Sequence, residues 1–150
     1  GWRITADADI EFKLEGGVAL RGRIDRFDFG PDNQALIFDY SGGRQLRASL
    51  CMLGLAEVQR YTPAGVFFRS ETAALKGWHI AVPHLNGDYV SCAPEDLRER
   101  IDSARAEAVA AVREIRRGRV EPWSGPGGTC RGCEYACCCG DAGTIDGARV

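Results

Sequence analysis

The chain has 150 residues, of which 45% are hydrophobic and 27% are charged, and its formal net charge at pH 7 is -2. This composition predicts one globular domain large enough to bury its own core. It excludes a membrane-spanning chain, because no apolar run approaches the ~20 residues that cross a bilayer. The slightly negative net charge gives no electrostatic sign of a nucleic-acid-binding surface.

The first forty residues predict three antiparallel strands. Apolar and polar residues alternate over residues 8–15 and 18–28, around the Gly16-Gly17 pair that favours a hairpin turn. The turn residues Gly30-Pro31-Asp32-Asn33 then lead into a more apolar third strand over residues 34–40. We therefore expect a three-stranded antiparallel meander.

The rest of the chain predicts two helices and two further strands. Leu46, Leu50 and Leu53 recur at helical spacing in a buried helix that runs from Gln45 to about residue 60. Residues 65–69 then predict a core strand and residues 78–82 an edge strand. Pro94 begins the clearest helix, which ends at residues 116–118. The order β-β-β-α-β-β-α predicts an α+β fold.

Two carboxylates end apolar strand patterns, Asp25 in the second strand and Asp39 in the third. A strand, a turn and a returning strand bring them to one edge of the sheet, where they can share Mg²⁺, which prefers oxygen ligands. Such an ion promotes phosphodiester hydrolysis. A lysine two residues after Asp39 would lie on the same strand face and offset negative charge, but that residue is Ser41. The alternative is that both acids are solvated strand-end residues.

Five of the seven cysteines lie in residues 130–139, and three of them have the spacing Cys130-x2-Cys133-x5-Cys139. Clustering favours a metal or iron–sulfur centre in a reducing cytoplasm over a disulfide framework. Residues 121–150 are rich in glycine and have no periodicity. We therefore expect a core over residues 1–120 and a Cys-rich tail over residues 121–150 that is disordered unless the cysteines hold it.

The sequence resembles the RecB/AddB-type branch of the PD-(D/E)XK nucleases in the motif that contains its two acids. Identical or matching positions are Gly22, Ile24, Asp25, Arg26, Asp28, Asp39, Tyr40 and Gly42 or Gly43. The resemblance implies that Asp25 and Asp39 hold the metal and that Gln45, which begins the next helix, supports the site. It also identifies three departures: Ser41 replaces the lysine, Ser49 replaces a tyrosine, and no counterpart of the family's N-terminal helix precedes Trp2.

The tail strengthens this resemblance, because iron–sulfur members of the branch end in the same C-x2-C-x5-C spacing. The resemblance implies that Cys130, Cys133 and Cys139 are ligands of a 4Fe-4S cluster, with Zn²⁺ as the alternative metal, although the family's fourth ligand lies far upstream of the nuclease core. The implied protein is a cytoplasmic DNA repair or recombination nuclease without a membrane segment.

The implied reaction is Mg²⁺- or Mn²⁺-dependent cleavage of DNA, with single strands delivered by a helicase domain or subunit. Arg23 and Arg26 are expected to contact the phosphates that flank the scissile bond. The alternative is a catalytically inactive module that binds DNA or has a structural role, because Ser41 replaces the lysine.

Overall fold

The computed structural model describes residues 1–41, 45–70, 74–80, 85 and 89–119. The chain falls into two compact units, residues 1–112 and 113–150. The elements are β1 (Arg3–Leu14), β2 (Val18–Phe29), a 3-10 turn (Pro31–Asn33), β3 (Gln34–Asp39), α1 (Gln45–Val58), β4 (Thr62–Arg69), β5 (Leu75–His79), β6 (Val90–Ser91) and α2 (Pro94–Arg116). The six strands form one sheet in chain order, β1 to β6. This confirms the α+β prediction. The predicted boundary at residue 120 stays a prediction.

The predicted meander is confirmed, since β1, β2 and β3 pair antiparallel in sequence. The first hairpin closes at Leu14 opposite Val18, and both glycines of its turn have positive φ, which favours glycine. The strand β1 begins at Arg3, earlier than the predicted residue 8. Its first residues are mostly exposed, so they lack the alternation of buried and exposed side chains that identifies the rest of the strand.

The helix α1 connects β3 to β4, which lies parallel to β3. Parallel neighbours need such a crossover, and a helix is its usual form. Ala48, Met52 and Leu55 of α1 are fully buried against the sheet. Gly54 permits this close approach, because a Cβ at that position would lie 2.8 Å from side-chain atoms of Ile10 and Phe12.

The predicted bounds of the strand over residues 78–82 are wrong, because β5 spans Leu75–His79. It is also not the edge of the sheet, since β6 pairs with it on the side away from β4. The start of β5 was placed too late because Gly77 weakens the strand pattern in the sequence. In the structure, a glycine is needed at this position of the strand. A Cβ there would lie 2.2 Å from the carbonyl oxygen of Val66 on β4. Residues 81 and 82 lie outside the described part of the chain.

The helix α2 begins at Pro94 and ends at Arg116, as predicted. Its buried residues are Leu97, Ile101, Ala104 and Ala108, which lie at helical spacing on one face. In the second unit, Gly118 has a φ of 75° just beyond the helix end, which is typical of a helix C-terminus. Among the helices that the structure describes, none is long and apolar enough to cross a membrane.

Each face of the sheet carries a separate apolar core. The larger core contains Ile37 together with residues of α1 and α2. The smaller one contains Phe38 and Phe67. Because successive side chains of a strand point to opposite faces, Ile37 and Asp39 lie on the α1 face and Phe38 lies on the other. This alternation decides which charged residues can reach Asp39.

Candidate active site

A local irregularity of the β1–β2 hairpin positions Asp25. The antiparallel pairing runs from Arg3 opposite Phe29 to Leu14 opposite Val18, but it passes over Asp7 and Asp25. Asp7 has a φ of 53°, which is uncommon for a residue with a side chain. As a result, Ile24 and Phe27 both lie in the core on the α1 face, which a regular pleat would not allow. Irregularities of this kind re-aim a strand side chain, here that of Asp25.

Asp39 ends β3 and is buried, with only 4% of its side chain exposed. Its Oδ1 accepts hydrogen bonds from the backbone N–H of Ser41 at 3.0 Å and from the Ser41 hydroxyl at 2.5 Å. Its Oδ2 is buried and has no hydrogen-bond partner among the described residues. A buried carboxylate oxygen without a partner is costly, so its presence requires an explanation. A bound cation is one partner that could satisfy it.

Asp25 lies beside it, one strand away. Its Oδ2 accepts a hydrogen bond of 2.8 Å from the backbone N–H of Tyr40, the residue that follows Asp39. Burial alone would raise the pKa of Asp25, but the Tyr40 hydrogen bond and the positive charge of Arg47 outweigh it and hold that pKa below its usual value. Asp25 is therefore ionised at neutral pH.

One guanidinium joins the two acids. Arg47, in the first turn of α1, lies 2.5 Å from Asp39 Oδ1 through Nη1 and 3.5 Å from Asp25 Oδ1 through Nη2. It also donates to the hydroxyl of Ser41 and, over 2.7 Å, to the carbonyl of Arg23. Arg47 is not among the residues that the sequence patterns predicted for the site. Its position could have indicated a nearby carboxylate, because the helix dipole disfavours a cation in the first turn of a helix unless an anion lies near.

The donors at this site fit a hard divalent cation. They are carboxylate oxygens, which Mg²⁺ and Mn²⁺ prefer, and the unpartnered Oδ2 of Asp39 is one of them. Among the described residues there is no cluster of three or more His, Cys, Asp or Glu side chains that could hold a metal. Asp25 and Asp39 are two neighbouring carboxylates that could share such an ion, and water or substrate oxygens would then have to complete its coordination.

Gln45 lies elsewhere. It is the first residue of α1, and in the described structure it makes no hydrogen bond to either acid. Its side chain instead lines a polar surface cleft with residues of α2, namely Asp96, Glu99, Arg100 and Ser103. The supporting role of Gln45 stays a prediction.

The two arginines predicted to contact DNA differ in their surroundings. Arg23 is exposed and forms an ion pair of 2.8 Å with Asp7, which is also exposed. Arg26 binds the buried carboxylate of Asp28 through two hydrogen bonds of 2.8 and 2.6 Å, and its guanidinium lies 4.5 Å from the centre of the Phe38 ring. Arg26 therefore occupies the face opposite to Asp39, and the hydrogen bonds to Asp28 raise its pKa further.

Comparison with known proteins decides the family. A family model described as the PD-(D/E)XK nuclease superfamily matches residues 1–140. The chain belongs to this superfamily. Its nucleases typically use Mg²⁺ or Mn²⁺, and a nuclease domain implies DNA as the substrate. No curated protein and no solved structure gives a significant match. The predicted ligands Cys130, Cys133 and Cys139 lie outside the described residues of this PD-(D/E)XK chain.

Proposed function

We propose that this chain is the metal-dependent DNA nuclease domain of a RecB/AddB-like DNA repair or recombination protein, with Asp25 and Asp39 as its metal ligands. The observation that carries the proposal is the buried Oδ2 of Asp39, which has no hydrogen-bond partner among the described residues, in a side chain that lies beside the Asp25 carboxylate. A metal ion bound there would satisfy this oxygen, and the fold would no longer bear the cost of leaving it unpaired.

Phosphodiester hydrolysis requires neutralisation of the phosphate charge, a nucleophilic water and stabilisation of the leaving oxygen, and a bound Mg²⁺ or Mn²⁺ supplies all three. The chain's own groups hold the ligands in place. The Tyr40 N–H fixes Asp25, and the Ser41 N–H and hydroxyl fix Asp39. Arg47 carries the positive charge that Ser41 lacks, and it lies within hydrogen-bond distance of the Ser41 hydroxyl.

The substrate in this proposal is single-stranded DNA, delivered by a helicase domain or subunit. Arg23 has the geometry for a phosphate contact, since its guanidinium is exposed and its only described ion pair is an exposed one of little energetic value. Arg26 would first have to leave the buried carboxylate of Asp28. The structure therefore favours Arg23 as the contact to the DNA backbone, and Arg26 as support for the strand that carries Asp25.

The same proposal assigns a 4Fe-4S cluster to Cys130, Cys133 and Cys139, with Zn²⁺ as the alternative metal. Its support is the C-x2-C-x5-C spacing in the sequence. Protein purified without oxygen and analysed for iron, sulfide and zinc distinguishes the two. Iron and sulfide in equal amounts are expected, and zinc without iron would overturn the cluster.

The nuclease activity is tested by cleavage of end-labelled single-stranded DNA in the presence of Mg²⁺ or Mn²⁺. Asp39→Asn keeps the size of the side chain but removes the charge that holds the metal. The matched control is Asp9→Asn on the exposed face of β1. We expect cleavage by the wild type and the control and none by Asp39→Asn. Equal cleavage by all three proteins would refute the assignment.

A second candidate function rests on Arg47, whose contacts with both acids already neutralise part of their charge. In an inactive domain this arginine would replace the metal permanently, and the fold would serve to bind DNA. The same assay decides between them, because an inactive domain binds labelled DNA but cleaves none of it at any Mn²⁺ concentration.

A further inference from the structure

The guanidinium of Arg47 occupies the position that a divalent ion needs. It lies between Asp25 and Asp39 and donates to an oxygen of Asp39 and to the hydroxyl of Ser41. The small space that Asp25, Asp39 and Arg47 enclose, together with residues that include Ile24 and Cys51, has no room for a water molecule. A metal ion, which also brings its own water ligands, enters this space only if Arg47 moves.

Two observations indicate that Arg47 is able to move. Its side chain is 37% exposed, whereas that of Asp39 is 4% exposed, so Arg47 is far more accessible to solvent than the carboxylate that it contacts. It also lines a neighbouring groove of about 340 Å³ between β1, β2 and α1, whose other residues include Phe12, Leu20 and Leu50. This groove can accommodate the aliphatic part of the side chain while the guanidinium turns outward.

We propose that Arg47 is a displaceable counterion, which holds the two carboxylates in the free protein and transfers to a DNA phosphate when the strand binds. The proposal rests on the nuclease function above. A phosphate offers guanidinium the same two-oxygen acceptor that a carboxylate does, so the hydrogen bonds of Arg47 are exchanged rather than lost. The released acid pair then accepts the metal. DNA and metal ion consequently bind with positive cooperativity.

Thermodynamic linkage gives this proposal a readout that does not require cleavage. If DNA removes the competing cation, DNA tightens metal binding, and the metal tightens DNA binding by the same factor. A hydrogen bond to a charged group contributes about 1.5 kcal/mol or more, and this free energy corresponds to a change in affinity of roughly tenfold. We therefore expect DNA to change the Mn²⁺ affinity by about this factor.

The experiment measures Mn²⁺ binding by electron paramagnetic resonance, with and without a cleavage-resistant phosphorothioate oligonucleotide. For the wild type we expect DNA to tighten Mn²⁺ binding about tenfold. In Arg47→Gln the affinity without DNA should already approach that of the wild-type complex, and DNA should tighten it clearly less than it does in the wild type. Arg98→Gln, which removes an exposed charge on α2, is the control and should behave like the wild type. An uncharged methylphosphonate oligonucleotide should produce no coupling.

Arg47→Lys provides a second test if Arg47→Gln does not fold, which circular dichroism would reveal. A lysine keeps the charge but cannot bridge both carboxylates in the same way, so its Mn²⁺ affinity should lie between those of the wild type and Arg47→Gln. Equal Mn²⁺ affinity of wild type and Arg47→Gln without DNA, or an Arg47→Lys affinity weaker than the wild type's, would overturn the proposal.

The outcomes separate this inference from the proposed function. Unchanged Mn²⁺ affinity in the variants, with cleavage retained by the wild type, refutes only the displacement of Arg47. Absence of Mn²⁺ binding by the wild type and both variants, with and without DNA, refutes the metal site itself and the displacement with it.

Discussion

Replacing Arg26 by alanine should destabilise the fold rather than act first on DNA binding. Arg26 forms two hydrogen bonds with Asp28, whose side chain is only 5% exposed, and it covers the ring of Phe38. Removing one partner of a buried ion pair costs about 3–5 kcal/mol. Because Arg26 itself is 32% exposed, water can partly replace it, and we expect a loss of roughly 2–3 kcal/mol in the free energy of unfolding.

Urea denaturation followed by circular dichroism measures this loss, with Arg23→Ala on the same strand as the matched control. Arg23 pairs with an exposed Asp7, so its removal should change the free energy of unfolding by about 0–1 kcal/mol. Asp28→Ala combined with Arg26→Ala should recover part of the loss, because no buried charge then remains unpaired. Equal unfolding midpoints for Arg26→Ala and Arg23→Ala would refute the structural role of Arg26.

Three further predictions follow from the geometry. Asp25 has a lowered pKa in the folded protein, so it contributes stability above its unfolded pKa of about 3.9, and that contribution is lost as pH falls through the lower folded value. Urea melts between pH 2 and 6 should show this dependence. Because Arg47 lowers this pKa together with the Tyr40 hydrogen bond, Arg47→Gln should weaken the dependence without abolishing it, and an unchanged profile would remove Arg47 as a cause. Gly54→Val should destabilise by about 1–3 kcal/mol, because its side chain would overlap Ile10 and Phe12, and a change below about 0.5 kcal/mol would refute that contact. Arg23→Ala should reduce the salt dependence of single-stranded DNA affinity by about one phosphate contact, and an unchanged slope would remove Arg23 from the interface.

Sequence patterns predicted the meander, both helices and the closeness of Asp25 and Asp39. Each of these features depends on neighbours along the chain. The turn at Gly16 and Gly17 and the start of α2 at Pro94 are local signals of this kind. The displaced β5 depends instead on the close approach of Gly77 to the Val66 carbonyl, a contact between strands that no local pattern contains.

The candidate site likewise contains residues that local sequence patterns predicted and one that depends on contacts distant in the sequence. The sequence predicted the two acids and showed Ser41 in place of a lysine, but Arg47, which contacts Asp39 from eight residues further along the chain, was not among the predicted residues. The skipped pairing at Asp7 and Asp25, which turns Asp25 toward its partner, arises from the hairpin as a whole. Strand alternation counted from Asp25 places Arg26 on the opposite face, and the contact of Arg26 with the Phe38 ring agrees with it.

The most direct test of the central claim is a double-mutant comparison of Mn²⁺-dependent DNA cleavage with Asp25→Asn, Asp39→Asn and both changes together. If the two carboxylates hold one metal, each single variant should lose nearly as much activity as the double variant, a fall of at least about 10²-fold, because groups that act as one unit are not additive. Losses that multiply independently, or cleavage that survives in the double variant, would contradict a shared metal at Asp25 and Asp39.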